Sequence, residues 1–131
     1  MPVRSSQEDF LLRELRKVAA MIARAMGFRS SGDLAAARVE IENGYRTLLG
    51  PQAALLRMLD VQSSARLIAD SRKVSALARL TAAEAALAAD NARPEEARQL
   101  LERAKSLARE AVDMDPSDEE AKRALEELLA L

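Results

Sequence analysis

The sequence predicts an all-α chain of antiparallel helical hairpins, about six or seven helices in all, arranged irregularly rather than as a uniform solenoid. Three observations carry this prediction. Hydrophobic residues fill 49% of the 131 positions but aromatics only 2%, so the core must be made of Ala, Leu, Ile, Val and Met. Such side chains suit close helix packing, whereas sheets favour β-branched and aromatic residues. Apolar positions recur at helical spacing through nearly the whole chain. Four glycines and four prolines leave few places to turn.

A chain of this length fits one domain, 1–131. Its parts are a first helix pair over 8–50, short connecting helices over 51–71, and a second pair with a C-terminal capping helix over 72–130. In the first helix Leu11, Leu15, Val18, Ile22 and Met26 make one face. Phe10, Met21 and Phe28 widen it on one flank, Leu12 and Ala19 on the other, giving an apolar arc broader than one neighbour requires. Arg13, Lys17 and Arg24 stand opposite, toward solvent. The second helix follows Gly32-Asp33 and turns Leu34, Ala37, Ile41, Tyr45 and Leu48 inward. Gly50-Pro51 ends it, because Gly suits a C-terminal cap and Pro cannot continue the ladder.

Pro51 suits the first turn of a short helix, QAALLRMLD. Beyond it, Ser63 or Ser64 can cap a brief helix ending near Asp70, and Asp70 or Ser71 can cap the next. Residues 72–90 hold neither Gly nor Pro and are apolar on two faces, so this helix is expected to be central and the most buried. Pro94 fits the start of a helix through Asp113, striped by Ala97, Leu100, Leu101, Ala104, Leu107, Ala108 and Ala111. Ser117-Asp118-Glu119-Glu120 reads as a capping box opening the last helix, with Glu119 and Arg123 one turn apart.

The segment SSGDLAAARVEIENGYRTLL has an echo later in the chain. Ala25, Phe28, Gly32, Ala37, Ile41 and Gly44 are separated by 3, 4, 5, 4 and 3 positions, and so are Ala85, Ala88, Ala92, Ala97, Leu101 and Ala104. Small residues at the first, fourth and last places let antiparallel helices approach closely, and Gly at the third suits the corner between them. Gly32-Asp33 therefore reads as a helix corner. A phosphate loop needs several glycines and a Lys-Ser/Thr, which are absent.

This spacing is similar to that of the tetratricopeptide repeat, and the Asp115-Pro116 ending and the GDLAAA and RPEEA corners also look like that family. The resemblance covers about 8–50 and 72–130. It departs from the family in having no Trp, Arg24 and Glu84 at usually apolar positions, Ala92 in place of the corner Gly, and units 60 residues apart. The stretch EDFLLRELRKVAAMIARAMGFRSSGDLAAARVEIENGYRTLLG also resembles a bacterial family of unknown function with tetratricopeptide-like helices. These resemblances imply a fold and a protein-binding role, with no activity. The Lys and Asn with which peptide-clamp members hold a partner carboxylate are not recognisable here.

Composition removes much chemistry. There is no His and no Cys, so the commonest general base, the commonest zinc ligand, thiolate sites and disulfides are all excluded. Glu40 and Glu42 lie two apart, on different helix faces. Asp113–Asp118 has carboxylates at intervals like a calcium loop, but Pro116 intrudes, the Gly is missing and Ala124 stands at the closing position. No Ser has a His partner for triad chemistry. Tyr45, the single Tyr, is expected to pack rather than react. The chain is thus expected to be no enzyme and to need no cofactor or metal. No stretch reaches the roughly 20 apolar residues of a membrane span, and the N-terminus lacks a signal-peptide core, so a cytoplasmic protein without membrane contact is expected.

Charge divides the chain. Residues 1–80 hold 13 Lys/Arg against 8 Asp/Glu, a balance of +5, while 81–131 hold 7 against 13, a balance of −6. Such asymmetry favours head-to-tail contact or anion binding by the first half. The expected function is protein–protein interaction or scaffolding, with a protein partner or a second copy and no small-molecule substrate. The expected surface is the leftover flank Phe10, Met21 and Phe28. The alternative is a DNA-binding regulator. Residues 64–80, SARLIADSRKVSALARL, resemble a helix-turn-helix in which Arg66, Arg72, Lys73 and Arg79 could meet phosphates, although Lys73 replaces the usual Gly and Arg79 falls on a core position.

Overall fold

A computed structural model describes residues 6–131, which contain seven α-helices and no strand among them. The helices are α1 (Ser6–Ser30), α2 (Leu34–Leu49), α3 (Ala53–Met58), α4 (Val61–Ile68), α5 (Ser71–Asp90), α6 (Pro94–Met114) and α7 (Glu119–Leu129), with a 3-10 turn at Gly50–Gln52. Among the described residues no helix is long and apolar enough to cross a membrane.

Two hairpins, α1–α2 and α5–α6, make the frame. Each is followed by a helix that rests on both its members: α5 packs against α1 and α2, and α7 packs against α5 and α6. The short α3 leans on α2, and α4 leans on α5 and α6. In consequence α5 touches five other helices and is the most enclosed, with Val74, Leu77, Ala78, Leu80, Thr81 and Leu87 buried. The two-faced apolar pattern of 72–90 has this cause.

The corners are built alike. At the first, Asp33 N–H donates to the Phe28 carbonyl and Gly32 N–H to that of Arg29. At the second, Arg93 N–H donates to Ala88 and Ala92 N–H to Ala89, the same bonds 60 residues on. Gly32 (φ +83) and Ala92 (φ +58) are both left-handed, so the alanine adopts the conformation that the sequence pattern reserves for glycine. Gly32-Asp33 is thus a helix corner, with the Asp33 carboxylate capping α2 by accepting from Ala36 N–H at 3.0 Å. Arg29 joins the corners through an ion pair with Asp90, at 2.5 Å.

The caps depart from the sequence reading in two places. α4 is capped by Asp60, which accepts from Ser63 N–H, and Ser63 and Ser64 lie inside the helix. α7 is capped by Asp118, one residue beyond the expected Ser117. Asp115 engages both the N–H and the hydroxyl of Ser117, leaving the neighbouring carboxylate to meet Ala121 N–H. In α7 the ion pairs are Glu119–Lys122 and Glu120–Arg123, three apart rather than four.

Candidate functional site: a groove between α1, α5 and α7

Because α5 and α7 each sit beside the first helix of the preceding hairpin, α1, α5 and α7 line up along one side of the molecule. Between them runs a groove of about 600 Å³. Leu12, Leu15, Ala19, Ile22 and Ala23 form the α1 wall, Ser75 and Ala76 the floor on α5, and Asp118 and Glu120 the α7 edge. Ala19 and Ala23 are exposed.

Two arginines bound the floor, and both are neutralised. Arg72 donates to Glu8 of α1 at 2.6 Å and to Asp70 at 3.1 Å. The hydrogen bond to Glu8 leads in raising the Arg72 guanidinium above its ordinary value. Partial burial would raise the Asp70 carboxyl, but Arg72 and the first amides of α5 hold it below the ordinary range. Arg79 reaches across to α7 and pairs with Glu127 at 2.5 Å and Glu120 at 2.9 Å. Partial burial opposes its charge, and the bonds to these two carboxylates outweigh that. The floor is therefore free of unpaired charge, with its cations satisfied, and α5 is latched to both walls.

The residues singled out from sequence lie elsewhere. Phe10 is 58% exposed, at the edge of a shallow depression with Thr47, Leu48 and Ile68. Met21 is half-buried and Phe28 is 36% exposed. They follow the flank of α1 that also carries Arg24, whose guanidinium pairs with Glu40 of α2. The last helix does not fold back over this flank; it packs on α5 and α6. The larger apolar opening is on the opposite flank, that of Leu12 and Ala19. Which flank α2 would take depends on the handedness of the hairpin, and helical periodicity carries no such signal.

The helix-turn-helix-like segment forms α4, a left-handed Ala69 and the start of α5. A recognition helix must expose one face to a groove of DNA, whereas α5 is the most enclosed helix. Arg72 and Arg79 are engaged by carboxylates, and only Arg66 of the four basic residues is exposed.

A second polar site, on the far side of α5, escaped sequence reasoning. The Tyr45 hydroxyl donates to Glu84 at 2.5 Å, and Glu84 pairs with Arg57 at 3.3 Å. Arg57 also binds Glu42 at 2.9 Å and stacks over the Tyr45 ring, 3.7 Å from its centroid. Burial, then the Glu84 charge, pushes the Tyr45 phenol well above its ordinary value. Nearby, Arg103 of α6 donates to the Leu59 and Leu56 carbonyls, and the buried Ser64 hydroxyl also donates to Leu56. These bonds satisfy the end of the short α3 and tie it to α4 and α6, while Arg57–Glu42 ties it to α2. Glu84 stands out in the sequence as a charge on a core position, but nothing there points to Arg57. Two carboxylates of the calcium-like stretch are likewise engaged, Asp115 by Ser117 and Asp118 by Ser71 and the α7 amide.

No family model, curated protein or solved structure matches this chain.

Proposed function

We propose that the chain is a non-enzymatic protein-binding domain of tetratricopeptide-like type, whose groove between α1, α5 and α7 receives an amphipathic helix. The observation that carries this reading is the apolar groove along the inner row of helices, held open by satisfied ion pairs rather than filled by side chains. The overlapping order supports it: α1–α2 supports α5 and α5–α6 supports α7, as in stacked helical repeats. The twin corners at an offset of 60 residues support it as well. The offset exceeds the usual repeat because α3 and α4 are inserted between α2 and α5. A helix laid in such a groove would present apolar residues at i, i+3, i+4 and i+7.

Selection from a library of helix-forming peptides tests this reading. Enriched sequences should carry that apolar spacing and lose binding to Ala19→Arg and Ala23→Arg, exposed sites where the longer side chain fills the groove without disturbing the core. Enrichment of extended peptides, or binding indifferent to both substitutions, would place recognition elsewhere.

A further inference from the structure

We infer that the occupant of this groove is α1 of a second copy of the chain, so that each copy's first helix lies in the other's groove across a two-fold axis. The inference rests on the protein-binding reading and commits it to one partner. Charge carries the choice. The α7 edge stays acidic even with Arg79 paired to it: with its Asp118 cap, α7 has five carboxylates against Lys122, Arg123 and the Arg79 that Glu120 and Glu127 hold. The helix that fits must therefore bring cations on the side facing α7 and a narrow apolar stripe toward α1 and α5.

α1 has that chemistry. Between residues 13 and 29 it holds five cations against the single Glu14. Leu12, Ala19 and Ala23 form its open apolar stripe, and Arg16 flanks them at helical spacing, with Arg13 beyond. Both arginines are exposed, and among the described residues neither has a carboxylate partner, although most other cations of the chain do. The alanines let a second helix backbone approach closely, and Arg72 and Arg79 below are already neutralised, so they do not repel the incoming cations. A two-fold makes the exchange reciprocal, so the basic first half of each copy meets the acidic second half of the other. Within one chain Arg29–Asp90, Arg57–Glu84 and Arg79 with Glu120 and Glu127 already pair the two halves, and the exchange extends that pairing between copies.

A charge-swap pair tested by sedimentation equilibrium decides the matter. The parent should sediment at twice its 14.3 kDa. Arg13→Glu with Arg16→Glu, and separately Glu120→Lys with Glu127→Lys, should each weaken the dimer by at least about tenfold. Mixing the two variants should restore it, because each reversed edge then meets its complement. Unchanged helical circular dichroism and melting would show that the fold is intact; should the Glu120/Glu127 variant melt early, Ala23→Arg replaces it and should yield a folded monomer. A parent that stays monomeric at high micromolar concentration overturns the inference. So does a dimer indifferent to all these changes, or variants that fail to rescue one another. A monomeric parent that still binds the selected peptides through Ala19 and Ala23 would overturn self-docking alone and leave the groove reading in place.

Discussion

The hairpins α1–α2 and α5–α6 share a spacing and a corner, yet differ sharply in burial. Ten residues of α5 are buried but only Val18 and Ala25 of α1. The first corner has Gly32 and an Asp33 cap; the second has Ala92, no side-chain cap from Arg93, and Pro94 in the first turn. A local pattern thus sets how a hairpin is made, while its place in the stack sets how much of it is enclosed. α1 has neighbours on one side and keeps an apolar wall open; α5 has neighbours nearly all round.

The largest expected effect breaks this comparison directly. Leu80→Ala removes a fully buried side chain at the centre and should cost about 3–5 kcal/mol, whereas Leu12→Ala on the open wall should cost less than about 1 kcal/mol. Urea unfolding of the two variants measures both. Equal losses would mean that the first hairpin is as enclosed as the second.

Overpacking comes next. A Cβ on Gly44 would meet Leu80 Cδ1 at 2.8 Å, and Leu80 is fully buried. Gly44→Leu should therefore destabilise by about 1–3 kcal/mol or more, and Ala104→Leu at the matching place of α6 by about 1–3 kcal/mol. A Gly44→Leu protein that melts with the parent would remove the close approach of α2 to α5.

The polar network joining the hairpins predicts a pH effect. The Tyr45 phenol is raised in the folded chain, so the folded state holds its proton more tightly than the unfolded one. This contribution is complete below the ordinary phenol value of about 10 and is lost as pH rises above it. The chain has one Tyr and no Trp, so phenolate absorbance reports this residue alone. It should appear only as the helices melt, and Tyr45→Phe should abolish that signal while costing about 1 kcal/mol at neutral pH. Phenolate formed at pH 10 in a fully helical protein would contradict the buried Tyr45–Glu84 bond.

The smallest effects sharpen the comparison of corners. Ala92→Gly should stabilise by about 0.5–1 kcal/mol, because a left-handed alanine is relieved, while Gly32→Ala should destabilise by about 1 kcal/mol. Nothing would crowd the added methyl at Gly32, so the backbone alone sets its cost. Asp33→Ala should remove a cap of about 1 kcal/mol. Opposite signs for the two corner substitutions would confirm their equivalence; equal signs would undo it.

Much of the fold was legible because its signals are local. Gly32, Gly50, Pro51 and Pro94 mark ends that depend only on the backbone of a few residues, and the two-faced pattern of 72–90 identified the central helix. The cap of α7 was misplaced by one residue because Ser117 and Asp118 are both good caps and the choice depends on Asp115. Of the surface, sequence identified α1 as carrying surplus apolar area and expected the interaction at Phe10, Met21 and Phe28, whereas the groove proposed above lies on the other flank. The groove on the other flank, and the cluster of Tyr45, Glu84, Arg57 and Glu42, join residues from separate helices and have no signature along the chain.

The sequence by itself determined the all-helical class, the corners and the division into a basic and an acidic half, because hydrogen-bond periodicity, positive-φ turns and charge are properties of neighbouring residues. Tertiary structure alone decided which flank of α1 is covered, that Arg72 and Arg79 latch the floor of a groove, and that a lone core carboxylate at Glu84 is satisfied. Those outcomes depend on the side toward which each hairpin turns, and that is fixed by helices meeting across 60 residues of chain rather than by any one of them.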